Sequence, residues 1–181
     1  MSAQYDQKRK TRILALTAIA GGLWLVVAFS SLVGPATIGD HARFGQPVLK
    51  NFAATRGEAQ QIRFTMADDS YTLVRTSNGW VMKESGNYPI RTDRLSQLAT
   101  DLEHLAFDKA RTKDPYKHNQ LGLGSPDEDG NGVLLEIFGP DGSLDDELIV
   151  GRKDDRIYVR APGSAQTYRT RGDLPPFYNR R

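Results

Sequence analysis

The 181-residue chain contains no cysteine and only three histidines and three methionines. Without cysteine there are no disulfides, no thiolate zinc sites and no cysteine nucleophile. The histidines, His41, His104 and His118, stand at no metal-ligand spacing, and neither an HExxH nor a Gly-x-Ser-x-Gly string is present. His104, beside Glu103, reads as a surface residue. A strong excess of one charge is missing too, with 24 Lys and Arg against 22 Asp and Glu. Within residues 1–12, four cations (Lys8, Arg9, Lys10, Arg12) face one acid, Asp6, so this tail carries 4 − 1 = +3 of a chain total of +2. The remainder is mixed in sign, which excludes the footprint of a nucleic-acid binder. A small secreted animal domain would more often carry disulfides, so the composition points to the bacterial envelope.

What is present begins with an uncharged stretch from Ile13 to Gly39. At about 1.5 Å per residue, Ile13 to Val33 spans roughly 31 Å, the hydrocarbon thickness of a bilayer. The basic cluster immediately before it places the N-terminus in the cytoplasm and the rest of the chain outside, by the positive-inside rule. A cleaved signal peptide is the rival, with Ala28-Phe29-Ser30 as its cleavage site. The run is long and Leu32-Val33 continues it, so a retained single-pass anchor in the inner membrane, with a periplasmic domain, is expected. Ala18 and Gly22 stand four apart, a spacing that lets membrane helices approach closely.

Residues 34–60 mix Gly, Pro, Ala and polar residues without period and read as a membrane-proximal stalk. The globular domain is expected over 61–172. Ile62–Met66, Tyr71–Thr76 and Trp80–Lys83 alternate as half-buried strands, with Asn78-Gly79 as a hairpin turn. Leu95, Leu98, Leu102 and Leu105 have helical spacing, which predicts a helix from an N-capping Thr92 to about Lys109. Strands at Val133–Phe138, Glu147–Gly151, Arg156–Arg160 and Gln166–Thr170 follow. The fold class is therefore α+β: one N-terminal transmembrane helix, then a small domain of antiparallel β-meanders packed around one main helix. Residues 173–181 read as a frayed tail.

Asp127, Asp129 and Asn131, with Gly132 at the sixth position, match the first half of a helix–loop–helix calcium loop. Phe138 stands where the bidentate Glu belongs, so these three are weak cation candidates beside the plainer reading of an acidic turn. The pairs Asp68-Asp69, Asp145-Asp146 and Asp154-Asp155 fall in predicted turns, where Asp bonds to backbone, rather than in a catalytic dyad. Gly122-Leu123-Gly124 lacks the strand and helix a nucleotide site needs. Trp80, Tyr88, Tyr158 and Tyr168 are the candidate binding surface, against the alternative that they simply fill a core.

Several short motifs recur in order: Tyr71–Arg75, Gly79-Trp80-Val81, Tyr88-Pro89, the Leu-rich helix from Arg94, Leu121-Gly122-Leu123 with Pro126, Leu148–Gly151 and Tyr158-Val159-Arg160. Over roughly residues 60–172 this pattern resembles the bacterial family called domain of unknown function 4340. The resemblance implies a membrane-anchored envelope protein, some members accompanying ABC-type transport systems of the gliding-motility kind. It carries over no catalytic residue. Members with a repeated meander–helix unit look longer than this chain, which has one helix.

Three functions are open on these grounds. The first is a non-enzymatic periplasmic domain, tethered through residues 13–33, that binds a protein partner as an accessory to an envelope or transporter complex. The second is a ligand-binding module for a lipid, glycan or small solute, which an apolar pocket rimmed by the aromatics would favour. The third is a carboxylate hydrolase, which needs two converging acids. No cofactor and no nucleic-acid partner is expected.

Overall fold

The computed structural model describes residues 43–177. The chain divides into two units, Met1–Gly39 and Asp40–Arg181, and the described residues all belong to the second.

Nine strands form one antiparallel sheet: β1 (Gln61–Thr65), β2 (Ser70–Thr76), β3 (Gly79–Met82), β4 (Tyr88–Pro89), β5 (Ala106–Ala110), β6 (Val133–Phe138), β7 (Leu144–Lys153), β8 (Arg156–Arg160) and β9 (Tyr168–Arg171). Their spatial order is β4-β3-β2-β1-β6-β7-β8-β9-β5. The expected fold of β-meanders around one main helix is thereby overturned. The two strand blocks are joined edge to edge, because β1 pairs with β6 through Ile62↔Ile137 and Phe64↔Leu135. Two α-helices, α1 (Phe52–Thr55) and α2 (Thr92–His104), accompany the sheet. No helix among the described residues is long and apolar enough to cross a membrane. The expected transmembrane helix, 13–33, lies outside the described residues.

The α2 helix also differs from its expected bounds. Thr92 is its first residue rather than its cap, and Arg91 precedes it without a side-chain cap bond. The helix stops at His104 because Leu105 turns extended and the chain enters β5. Two backbones hold it there. One is β9, through Phe107↔Thr170 and Ala110↔Tyr168. The other is the segment before α1, where the Val48 amide donates to Leu105 O at 2.8 Å and the Phe107 amide to Gln46 O at 3.0 Å.

One face of the sheet, here the inner face, carries the main core. Ile62, Phe64, Leu73, Leu135, Ile137, Leu148, Val150 and Val159 alternate onto it, and Leu98 and Leu102 of α2 pack against them. The span expected as a stalk supplies Leu49, Phe52 and Ala59 to this core, and the span expected as a tail supplies Leu174 and Phe177.

Candidate binding surface

Among the described residues, a loop covers the outer face of the sheet at one end. Over β6, β7 and β8, Leu123 is fully buried against Ile149 and Tyr158, with Leu121 and Leu134 beside them. The loop carrying Leu121 and Leu123 lies flush on β7 because Gly151 has no side chain. A Cβ there would stand 2.2 Å from Gly122 O, closer than any real contact. Arg160 pins the same loop, donating from Nε to Leu123 O at 2.8 Å and from Nη2 to Ser125 Oγ. Burial, opposed by the charges of Glu128 and Asp127, lowers the Arg160 pKa. His118 is buried here too, and since a carbonyl can only accept, its Nε2 donates to Ala165 O at 2.9 Å.

The three calcium-loop candidates lie in the same region. Asn131 gives its amide nitrogen to Asn119 O at 2.8 Å, and its oxygen accepts from the Gly124 amide at 3.4 Å. Asp129 takes a positive φ of 54° as the residue that turns the chain, and Asp127 lies exposed in the preceding turn. Among the described residues no group of three His, Asp or Glu could hold a metal ion.

The four aromatics do not converge. Trp80 packs on the inner-face core near one end of the sheet, and Tyr88 on the edge strand β4 is 67% exposed. Tyr158 is buried on the outer face under the loop. Tyr168 packs on the inner face with its ring 4.8 Å from Phe107. Five strand spacings separate β3 from β8, about 24 Å, so no single groove holds all four.

The acid pairs divide as well. Asp154 and Asp155 form the two-residue turn between β7 and β8, both at positive φ (50° and 55°). Asp145 and Asp146 are not in a turn; they lie within β7, opposite the register shift between Ile137 and Phe138. Asp146 shares the inner face with Ile137, and its Oδ2 is buried without a hydrogen-bond partner. Burial, with the neighbouring Asp145 charge adding, raises its pKa.

Among the described residues, the outer face from β4 to β6 carries a second apolar row, exposed at its ends and partly buried between. Successive Cα partners run Pro89↔Val81, Val81↔Val74, Val74↔Gln61, Gln61↔Phe138 and Phe138↔Leu144. This row crosses six strands, is apolar except at Gln61, and ends at Leu144, which is 46% exposed. A shallow hollow of about 660 Å³ lies along it, bounded by Val74, Val81 and Pro89 with Asn78, Lys83 and Asn87. A smaller cavity of about 360 Å³ sits between the β7–β8 turn and the C-terminal segment, lined by Val133, Val150, Ile157 and Phe177 with Arg152 and Lys153. None of the four expected aromatics lines that cavity, and Arg152 is already committed to Leu174 O and, at 3.7 Å, to Asp173.

A family model described as "Domain of unknown function (DUF4340)" matches residues 80–176. The chain belongs to that family. No curated protein and no solved structure matches it. The DUF4340 match starts at Trp80 in β3, so β1 and β2, which join the two halves of the sheet, precede it.

The open row escaped the sequence reading because strand alternation assigns one apolar face. Its signal was the apolar neighbours Leu73-Val74, Trp80-Val81-Met82 and Ile137-Phe138, which break alternation and make both faces apolar.

Proposed function

We propose that this chain is an envelope domain, tethered at the membrane by residues 13–33, that binds a protein partner through the open outer face of β1–β4 and β6. The observation that carries this reading is the six-strand row from Pro89 to Leu144, apolar at five of its six positions and exposed at both ends, while the loop over Leu123 seals the other end of the same face. Apolar surface on an unsealed sheet face is where a partner gains most from excluding water. The charged rim, Arg63 with Glu136 at 3.5 Å, supplies polar registration beside it. An accessory role in a transporter or other envelope complex follows as the form this binding takes.

The test is co-purification of the full chain, extracted from native membranes, in wild-type form and as Val81→Asp and Val74→Asp. Both positions are partly buried, so hydrogen exchange of β6–β8 verifies that each variant keeps its fold. Loss of a reproducible partner in both variants supports the reading. A partner retained at wild-type level in both sinks it.

A further inference from the structure

At the far end of the sheet the last strand, β5, carries a different surface. Lys109, Arg111 and Lys113 are exposed and occupy alternate positions of an extended segment, so their side chains project to one side. Lys109 is the Cα partner of Arg169, and the Arg111 guanidinium lies 6.0 Å from the Tyr158 ring, which places this row on the outer face. Its neutralising acids are already engaged. Asp108 is shared by two cations, Arg169 and, at 3.3 Å, Arg171, while Asp114 pairs with Lys117 at 3.5 Å. An exposed aromatic stands near each end of the strip. Tyr116 is 93% exposed, and Phe44, 55% exposed, has the Arg171 guanidinium 5.2 Å from its ring.

We infer that this strip along β5 docks on an anionic phospholipid bilayer, Lys109, Arg111 and Lys113 meeting phosphates and Tyr116 and Phe44 entering the headgroup layer. Surplus cations flanked by exposed aromatic rings are the combination that partitions to an anionic interface. The inference rests on the reading of residues 13–33 as a membrane tether. Nine residues, 34–42, separate Val33 from Arg43, a reach of at most ~35 Å. Such a tether holds the strip near lipid at high effective concentration, which no acidic protein shares automatically.

The absence of cysteine makes the experiment direct. The full chain carrying Pro115→Cys, an exposed position beside Tyr116, is labelled with an environment-sensitive fluorophore and placed in nanodiscs of phosphatidylcholine, with or without phosphatidylglycerol, that contain brominated lipid. Asn78→Cys, at the β2–β3 turn across the sheet, serves as the control position. The expected result is quenching at position 115 in anionic discs only, falling with added salt and falling roughly five-fold per charge removed in Lys109→Gln, Arg111→Gln and Lys113→Gln. Equal quenching in neutral discs or at position 78 overturns the inference. A chain that enters the discs with a silent probe at 115 overturns it alone and leaves the tether standing. Failure to enter the discs overturns both. A silent probe, with a co-purifying protein lost in the charge variants, assigns the strip to an acidic protein and overturns the lipid.

Discussion

The Tyr71 hydroxyl donates to the main-chain carbonyl of Phe177 at 3.0 Å, closing a loop of 106 residues with one hydrogen bond. The Phe64 ring lies between the two residues, 4.7 Å from the Tyr71 ring and 5.0 Å from that of Phe177. Burial, with the Asp69 charge adding, pushes the Tyr71 phenol well above its usual value. Tyr71→Phe keeps the ring contacts and removes the bond, so it costs about 1 kcal/mol. Urea denaturation measures that cost. Hydrogen exchange near residues 174–177 shows where it is felt.

Gly151→Ala strains the loop over the outer face. The new Cβ would press on backbone at Gly122 O, 2.2 Å away, and backbone cannot swing aside as a flexible side chain does. We expect a loss of about 1–3 kcal/mol, with faster exchange across residues 119–132. Unchanged exchange there would show that the loop does not depend on this close approach.

Asp146 makes the domain more stable in mild acid. Its folded pKa lies above the unfolded value near 3.8, so between the two the folded chain holds the extra proton. That contribution is complete below the unfolded pKa and is lost as pH rises through the folded one. Asp146→Asn removes this slope and raises stability near neutrality relative to wild type. Thermal melts from pH 3 to 7 compare the two chains, and parallel curves would refute the assignment.

Calcium leaves the melting temperature unchanged, because Asn131 spends its side chain on Asn119 O and the Gly124 amide. Asn131→Ala lowers the melting temperature equally with and without calcium, by an amount corresponding to about 1–2 kcal/mol. A calcium-dependent rise in wild type that Asn131→Ala abolishes would restore the cation reading.

Strand positions were legible wherever apolar and polar residues alternate, as at Ile62-Arg63-Phe64, and the Asn78-Gly79 turn announced its hairpin. The pairing of strands was not legible. Nothing local in Ile62 or Phe64 says that they face Ile137 and Leu135, so two blocks read as separate meanders when they are one sheet. The end of α2 was hidden for a related reason. Leu102 and Leu105 suit a helix, Leu105 and Phe107 suit a strand, and the choice is made by β9, far along the chain. Leu49, Phe52, Leu174 and Phe177 are core residues set among Gly, Pro and polar neighbours, where no period marks them. Of the binding-surface candidates, the aromatics drew attention by type, while Val74 and Val81 were hidden by their ordinariness.

The joining of β1 to β6 also sets the order in which the domain can assemble. During synthesis the β1–β3 hairpins emerge early, but β1 gains its second neighbour only after β6 has followed, and β5 waits for β9. The last described residue, Phe177, seats against Phe64 and Tyr71 of the first hairpin. Pairings this distant place the chain among the slower folders, on the millisecond-to-second scale. An emerging chain therefore cannot complete this core until residues 174–177 have followed the strands they pack against.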